Sequence, residues 1–337
     1  MKMRRLGKTK LMVSVIGFGG IPIQHVDEKA AREIFQALAE AGINFVDTGR
    51  GYTTSESLIG RALKDHRRED FIIATKSMAR TYEGIRRDVE TSLKQLDVEQ
   101  IELYQFHNVR YEEEMDTIFG EGGAYQGIKE YLDQGVIKHL GITSHNRNIL
   151  IPAMDTGVFD TIQFPFNAVE NQAIEQFQYA IEKDLGVIIM KPLAGGALIN
   201  KGLALRYAME QPFVTTLIPG MNSVEQVMEN AAVGNHFTPL NDEEKALLNQ
   251  EVEELGDKFC RRCGYCAPCT VGIDIPTCFL MEGYYTRYDL KEWAIDRYSA
   301  IHPSAGDCIQ CGDCEKRCPY DLPIINMLER VDQLFSK

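Results

Sequence analysis

Four polar side chains in the first third of the chain have the types that proton transfer requires: Asp47, Tyr52, Lys76 and His107. A phenol titrates near ~10, too high for an efficient acid at neutral pH. An ammonium group beside it favours the phenolate and lowers that value. Asp47 can hold Lys76 charged and in place, while His107 can hydrogen-bond a substrate oxygen and help the proton across. Acting together, they would protonate an alkoxide as it forms, which is what hydride addition to a carbonyl requires. Any one of these residues alone has an ordinary structural explanation; their combination argues for chemistry.

A second chemistry stands at the other end of the chain. All nine cysteines lie between Cys260 and Cys318, and residues 1–259 contain none. Cys308, Cys311, Cys314 and Cys318 are separated by two, two and three residues and followed by Pro319. That run holds [4Fe–4S] clusters in bacterial ferredoxins, and iron–sulfur is preferred here over zinc. Cys260, Cys263, Cys266 and Cys269 form a second run, with a last gap of two residues and Thr270 where proline is usual. In paired runs the fourth cysteine of each ligates the other cluster. The expectation is one cluster on Cys260, Cys263, Cys266 and Cys318 and another on Cys308, Cys311, Cys314 and Cys269, or a single cluster if only one run fills. Cys278 is left over and reads as a buried structural thiol. A secreted disulfide framework would belong to a short chain with a signal sequence, so metal ligation in a reducing, cytoplasmic setting is the better reading.

These residues need elements to position them. The first ~240 residues alternate β-branched runs with helical patterns, as a domain of parallel strands and crossover helices does. Candidate strands are 15–19, 44–47, 71–75, 101–106, 137–142, 161–164, 187–190 and 214–218. Candidate helices between them are 28–41, 56–64, 85–96, 126–134, 147–155, 173–183, 203–210 and 224–232. Eight such units predict a closed (β/α)₈ TIM barrel with its site at the carboxyl ends of the strands. Asp47 ends the second strand, Lys76 the third, and His107 follows the fourth, so one rim would collect them. No Gly-x-Gly-x-x-Gly opens a helix, which disfavours an open doubly wound sheet. The expected division is a barrel over 1–240, a helical linker over 241–255 and a small, mainly helical iron–sulfur domain over 256–337. Within the last, Cys263-Gly264-Tyr265-Cys266 precedes Asp274-Ile275-Pro276 as Cys311-Gly312-Asp313-Cys314 precedes Asp321-Leu322-Pro323, which suggests a duplicated half.

The stretch Asp47-Thr48-Gly49-Arg50-Gly51-Tyr52, with Ser55-Glu56 beyond it, resembles the aldo-keto reductase signature. Ala-Thr-Lys76-Ser and Tyr-Gln-Phe-His107 resemble that family's lysine and histidine segments, and the likeness covers residues 1 to about 235. It implies tyrosine as general acid and a nicotinamide hydride donor, NADP or NAD. It also implies that Gln163, with Thr143 and Ser144, binds the nicotinamide carboxamide. Met190 stands where many members have an aromatic residue stacked on nicotinamide, and Lys191, Pro192, Leu193 and Gly195 match the segment along the pyrophosphate. Gly220 and Gln226 replace two cations that many members use on the 2′-phosphate, while Glu229 and Asn230 match the adenine-contacting end. Loss of two cations removes charge-assisted bonds to a phosphate dianion, so NAD is a real alternative. The cysteine region resembles α-helical ferredoxins. Barrel and module together resemble a bacterial and archaeal group of ferredoxin-containing aldo-keto reductases.

A net charge of −13 argues against nucleic-acid and anionic-membrane partners. The basic start, Lys2 to Lys10, and the apolar run after it read as a β-hairpin, and no apolar stretch approaches the ~20 residues of a membrane span. Two functions compete. One is an NAD(P)H-dependent reductase of a small carbonyl substrate with an accessory iron–sulfur module. The other is an electron-transfer or redox-sensing protein whose barrel binds nicotinamide with little turnover. In either, the clusters would serve a redox partner protein, sense redox state or brace the fold, because hydride carries two electrons and each cluster passes one at a time.

Overall fold

The computed structural model describes residues 1–256, 258–262 and 264–336. It divides into two compact units. The first comprises Met1–Asn167, Asn171–Pro192 and Gly202–Leu240; the second runs from Asn241 onward and takes in Ala168–Glu170 and Leu193–Lys201.

The first unit opens with the expected hairpin, β1 (Met3–Arg5) paired antiparallel with β2 (Met12–Ser14). Gly7 makes its turn at φ +52, and a Cβ there would lie 2.2 Å from the Gly186 nitrogen, so only glycine fits. Eight strands follow: β3 (Phe18–Gly19), β4 (Phe45–Asp47), β5 (Ile72–Ser77), β6 (Ile101–Phe106), β7 (Ile137–Thr143), β8 (Thr161–Pro165), β9 (Gly186–Met190) and β10 (Thr216–Ile218). Each pairs parallel with the next. Parallel bridges from Ile16 to Leu217 and from Gly19 to Gly220 join the last strand to the first and close the barrel. This is the predicted (β/α)₈ architecture.

Helices α1 (Glu28–Ala41), α2 (Ser55–Leu63), α3 (Tyr82–Leu96), α4 (Glu112–Phe119), α5 (Ala124–Asp133), α6 (Leu150–Asp155), α7 (Ile174–Glu182), α8 (Lys201–Met209) and α9 (Val224–Asn235) run between and after the strands. In α1 the Asp27 carboxylate accepts from the Ala30 N–H at 2.8 Å, Ala31, Ile34, Phe35 and Leu38 are buried, and Gly42 ends it at φ 72. Cap, apolar period and left-handed stop therefore agree. The periodicity missed α4, which buries only Met115 and Ile118, too few to show a period. Its signals are local: Glu112, Glu113 and Glu114 in the first turn, with the Glu114 carboxylate accepting from the Arg110 and Tyr111 N–H groups.

The second unit contains α10 (Asp242–Leu255), α11 (Ile275–Thr286), α12 (Lys291–Tyr298), α13 (Asp313–Arg317) and α14 (Ile324–Phe335). Asn241 and Glu244 form a capping box at the start of α10. Each cysteine run leads into a helix, though the starts differ: the Asp274 carboxylate caps α11, whereas Pro323 precedes α14 with no side-chain cap. These two helices supply much of the core, including Ile275, Cys278, Phe279, Met327, Leu328 and Val331. Among the described residues no helix is long and apolar enough to cross a membrane.

Candidate active site and cysteine-lined cavity

Parallel register brings the proton-transfer residues to one rim. Asp47 closes β4 opposite Ala74 of β5, Lys76 of β5 stands opposite Gln105 of β6, and His107 is the first residue beyond β6. Tyr52 lies in the turn between β4 and α2, where its N–H donates to the Gly49 carbonyl at 2.9 Å and its carbonyl accepts from Ser55 at 2.8 Å.

Lys76 is 1% exposed and Asp47 2% exposed, so this ion pair lies inside the barrel. Lys76 Nζ donates to Asp47 Oδ1 and, at 2.7 Å, to the Thr48 carbonyl. Burial pushes the Lys76 ammonium below its ordinary value, with Asp47 pulling it back. Nζ stands 4.9 Å from the Tyr52 ring centroid, and the Tyr52 and His107 rings meet edge to face with centroids 5.8 Å apart. All four residues are therefore together. Burial first, and then the charges of Lys76 and Arg80, push His107 well below its ordinary value, so its imidazole is neutral near pH 7. His107 Nδ1 is buried without a hydrogen-bond partner among the described residues.

Two supports were given no role in the sequence reading. Gln105 Nε2 donates to Asp47 Oδ2 at 3.1 Å, fixing the carboxylate that fixes the lysine. Gln105 stands two residues before His107, and alternation along a strand could have pointed to it. Glu56, fully buried, accepts from Thr75 and Ser92 at 2.7 Å and pairs with Arg50, anchoring the segment that carries Tyr52.

The expected nicotinamide contacts are placed unevenly. Gln163 on β8 is 1% exposed, and its Oε1 is buried with no partner among the described residues; an amide N–H of a ligand would satisfy it. Thr143 and Ser144 are buried at the end of β7 with their hydroxyls engaged: Thr143 accepts from the Asn108 N–H at 2.7 Å, and Ser144 donates to the Val109 carbonyl at 2.6 Å. Met190 ends β9 half-buried, and the Lys191 carbonyl accepts from Asn167 at 2.9 Å, with Pro192 next. Leu193 and Gly195 belong to the second unit, where Gly195, at φ +65, packs against the Tyr288 ring. Gly220 is exposed beyond β10, and a Cβ there would meet Pro22 Cγ at 2.7 Å. Gln226 accepts from the Asn222 N–H at 2.8 Å; Glu229 is exposed on α9 and Asn230 buried.

In the second unit, Cys269 joins Cys308, Cys311 and Cys314 around one cavity. Three of these thiols come from one run and the fourth from the other. The thiols line a space rather than converge on a point: among the described residues no three His, Cys, Asp or Glu side chains are grouped to hold a single ion. The donor set suits a group with several irons. Thr270, the departure from the usual proline, places its Oγ1 3.4 Å from Cys311 Sγ and holds that thiol below its ordinary value, toward the thiolate that binds metal. Cys266 is buried and Cys260 and Cys318 half-buried, all packed in this unit's core. Arg317 ties the runs together, donating to the carbonyls of Cys266 at 2.9 Å and Pro268 at 2.7 Å. Cys263 lies outside the described residues. Cys278 is fully buried on α11, and burial pushes its thiol up to about 12, as suits a packing residue.

Comparison with known proteins follows the same division. Residues 15–203 match the aldo/keto reductase family, and residues 259–323 match a 4Fe–4S dicluster domain. The chain is 25% identical to uncharacterized oxidoreductase YqkF of Bacillus subtilis, over 76% of this chain and 98% of that one. It is 27% identical to L-galactose dehydrogenase of Arabidopsis thaliana, over 74% and 93%. An aldo-keto reductase from Bacillus halodurans in its holo form superposes with a TM-score of 0.65 at 28% identity, covering 76% of this chain and 96% of that one. One from Klebsiella pneumoniae, solved in complex with NADPH, shares the fold with a TM-score of 0.63 at 20% identity, over 74% and 94%.

Proposed function

Because the chain belongs to the aldo/keto reductase family, we propose that its barrel is an NAD(P)H-dependent reductase of a small aldehyde or ketone, accompanied by two [4Fe–4S] clusters. The carrying observation is the buried Lys76–Asp47 pair beneath Tyr52, with a neutral His107 beside it. A bound nicotinamide would supply the hydride. Gln163 is the natural holder of its carboxamide, because its Oε1 is the buried acceptor that lacks a partner among the described residues. Thr143 and Ser144 would frame that amide, and Met190 would pack on the ring through its thioether. Lys191, Pro192, Leu193 and Gly195 would run along the pyrophosphate, and Gly220, Gln226, Glu229 and Asn230 along the adenosine end.

At the reacting oxygen, neutral His107 donates a hydrogen bond and orients the carbonyl. Tyr52 delivers its phenolic proton as charge builds on that oxygen. Lys76 offsets the phenolate left behind; two of its three N–H groups are held by Asp47 and Thr48, and the third can serve the Tyr52 oxygen. Asp47 and Gln105 act through Lys76 and hold it in place.

In the second unit, crossed ligation is the reading that the cavity of Cys269, Cys308, Cys311 and Cys314 supports. Cys260, Cys263, Cys266 and Cys318 would take the other cluster. Such clusters pass single electrons, so they serve a redox partner protein or brace the domain, and thiol ligands of this kind suit the reducing cytoplasm. The two complete cysteine runs also favour a second reading, in which the barrel binds nicotinamide with little turnover. Anaerobic purification, iron counting and NADH and NADPH oxidation across an aldehyde and ketone panel test both. Near eight irons with carbonyl-dependent oxidation supports the proposal. Tight nicotinamide binding with no turnover on any carbonyl would select the second reading.

A further inference from the structure

Arg262 lies between two cysteines of the first run. Its backbone is in the left-handed region, φ +54, which a non-glycine residue adopts only when something else fixes it. Its side chain is 8% exposed and pairs with Glu170, whose side chain is fully buried. Glu170 follows β8 in the chain and belongs to this second unit. The Arg262 N–H donates to Cys260 Sγ at 3.4 Å. Arg262 Nε is buried with no hydrogen-bond partner among the described residues, an uncommon state for a guanidinium donor. A guanidinium keeps its charge in a protein, and here it lies against the Glu170 carboxylate. A buried cation beside a thiol, paired with a carboxylate and carrying a donor that has no partner among the described residues, is arranged for further negative charge.

We propose that Arg262 is a positioning residue for the cluster bound through Cys260, and that the Arg262–Glu170 pair sets that cluster's reduction potential. This rests on the two-cluster reading of the second unit. Adding one electron makes the cluster and its thiolates more negative. A fixed guanidinium stabilises that state, and N–H groups near sulfur do the same. Glu170 moderates the effect by neutralising part of the cation and by fixing where it lies. The two charges therefore act on the potential with opposite signs, while both serve packing in the same sense.

The test is an anaerobic dithionite titration of the full-length protein followed by electron paramagnetic resonance, with iron counted for every variant. Arg262→Gln should lower the potential of one cluster and leave the other, held by Cys308, Cys311, Cys314 and Cys269, where it was. Glu170→Gln should raise the potential of that same cluster. Arg262→Lys keeps the charge and should stay near the wild type. If Arg262→Gln fails to hold iron, the lysine variant and Glu170→Gln carry the test. Close to eight irons with an unmoved potential would overturn the inference alone, as would equal shifts in both clusters or shifts of one sign in the glutamine variants. About four irons in the wild type would overturn the two-cluster reading, and this inference with it.

Discussion

Lys76 in the barrel and Cys314 in the second unit are both buried groups with chemistry to do, and they are satisfied differently. Lys76 finds its partners within the polypeptide: the Asp47 carboxylate and the Thr48 carbonyl. Asp47 is held in turn by Gln105. Cys314, 7% exposed, borders a cavity that it shares with three other thiols, and burial pushes its own thiol above the ordinary value. In the barrel the lysine and its partners are already in place, with regular strands fixing Asp47, Lys76 and Gln105, and with Tyr52 in the turn after β4 and His107 just beyond β6. The thiol site would be complete only with a group held between its members: Cys269, Cys308 and Cys311 lie outside regular elements, with Gln310 and Gly312 flanking Cys311 at positive φ, and Cys314 sits on the short α13. A preorganised site should survive loss of its ligand; a site whose ligand is part of the core should not.

The largest expected effect breaks the comparison along that line. Anaerobic removal of iron with a chelator should unfold the second unit and leave the barrel folded, since structural metals in small domains contribute on the order of 10 kcal/mol. Circular dichroism should lose the helical signal of α11 to α14, and limited proteolysis should cut beyond residue 256 while Met1–Asn167 resists. An unchanged spectrum and protease pattern would mean that the helical core of Ile275, Phe279, Leu328 and Val331 suffices without metal.

Next comes a change confined to the barrel. Tyr52→Phe should lower carbonyl turnover by roughly 10²–10⁴-fold, the usual range for a lost general acid, with nicotinamide affinity nearly unchanged. Tyr52 is half-buried at the rim, so folding should be untouched. Turnover near that of the wild type, measured under saturating substrate, would take Tyr52 out of the mechanism.

What could be read from the residues divides along the same two units. The barrel strands carry repeating β-branched runs, and Asp47, Lys76 and His107 fell at strand ends because a parallel barrel displays that rim. The roles of Gln105 and Glu56 went unread because they are contacts between residues far apart in sequence: strand alternation marks the face of Gln105 but not its partner Asp47, and the signature containing Glu56 does not show that it anchors Thr75 and Ser92. Helix α4 escaped because two buried residues make no period. The cysteine spacing was legible as metal chemistry. The contribution of Thr270 was not, because the pattern marks it only as a missing proline, whereas in space its hydroxyl reaches Cys311 across the two runs.

A smaller effect sharpens the contrast through pH. His107 is pushed well below its ordinary value of 6.5 by burial, then by Lys76 and Arg80. Between that lowered value and 6.5 the unfolded chain binds the proton and the native protein does not. Stability from this residue is therefore complete above about 6.5 and falls as the pH drops below it, by at most ~1.4 kcal/mol per pH unit. His107→Gln should flatten this slope relative to the wild type when denaturant midpoints are compared at pH 5.5 and 7. Equal slopes would mean that His107 titrates normally and can enter the reaction as an imidazolium.

The smallest expected effect concerns which nicotinamide the barrel prefers. Discrimination for NADPH comes from charge-assisted bonds to its 2′-phosphate, and the segment resembling that site has Gly220 and Gln226 where cations are usual. Gln226 spends its Oε1 on the Asn222 N–H, which closes the turn before α9. Gly220 is confined by more than charge: a side chain there would press on Pro22, so a cation cannot simply be restored at that position. Glu229, exposed on the same helix, adds negative charge that a dianion would meet unfavourably. The affinities for NADPH and NADH should therefore differ by less than about tenfold, or ~1.4 kcal/mol. Gln226→Arg should shift the ratio toward NADPH, and Glu229→Gln should shift it the same way by less, both read from fluorescence titrations at fixed ionic strength. A wild-type preference for NADPH of several orders of magnitude would mean that a cation elsewhere grips the phosphate, with Lys201 and Arg206 of α8 the first to replace by glutamine.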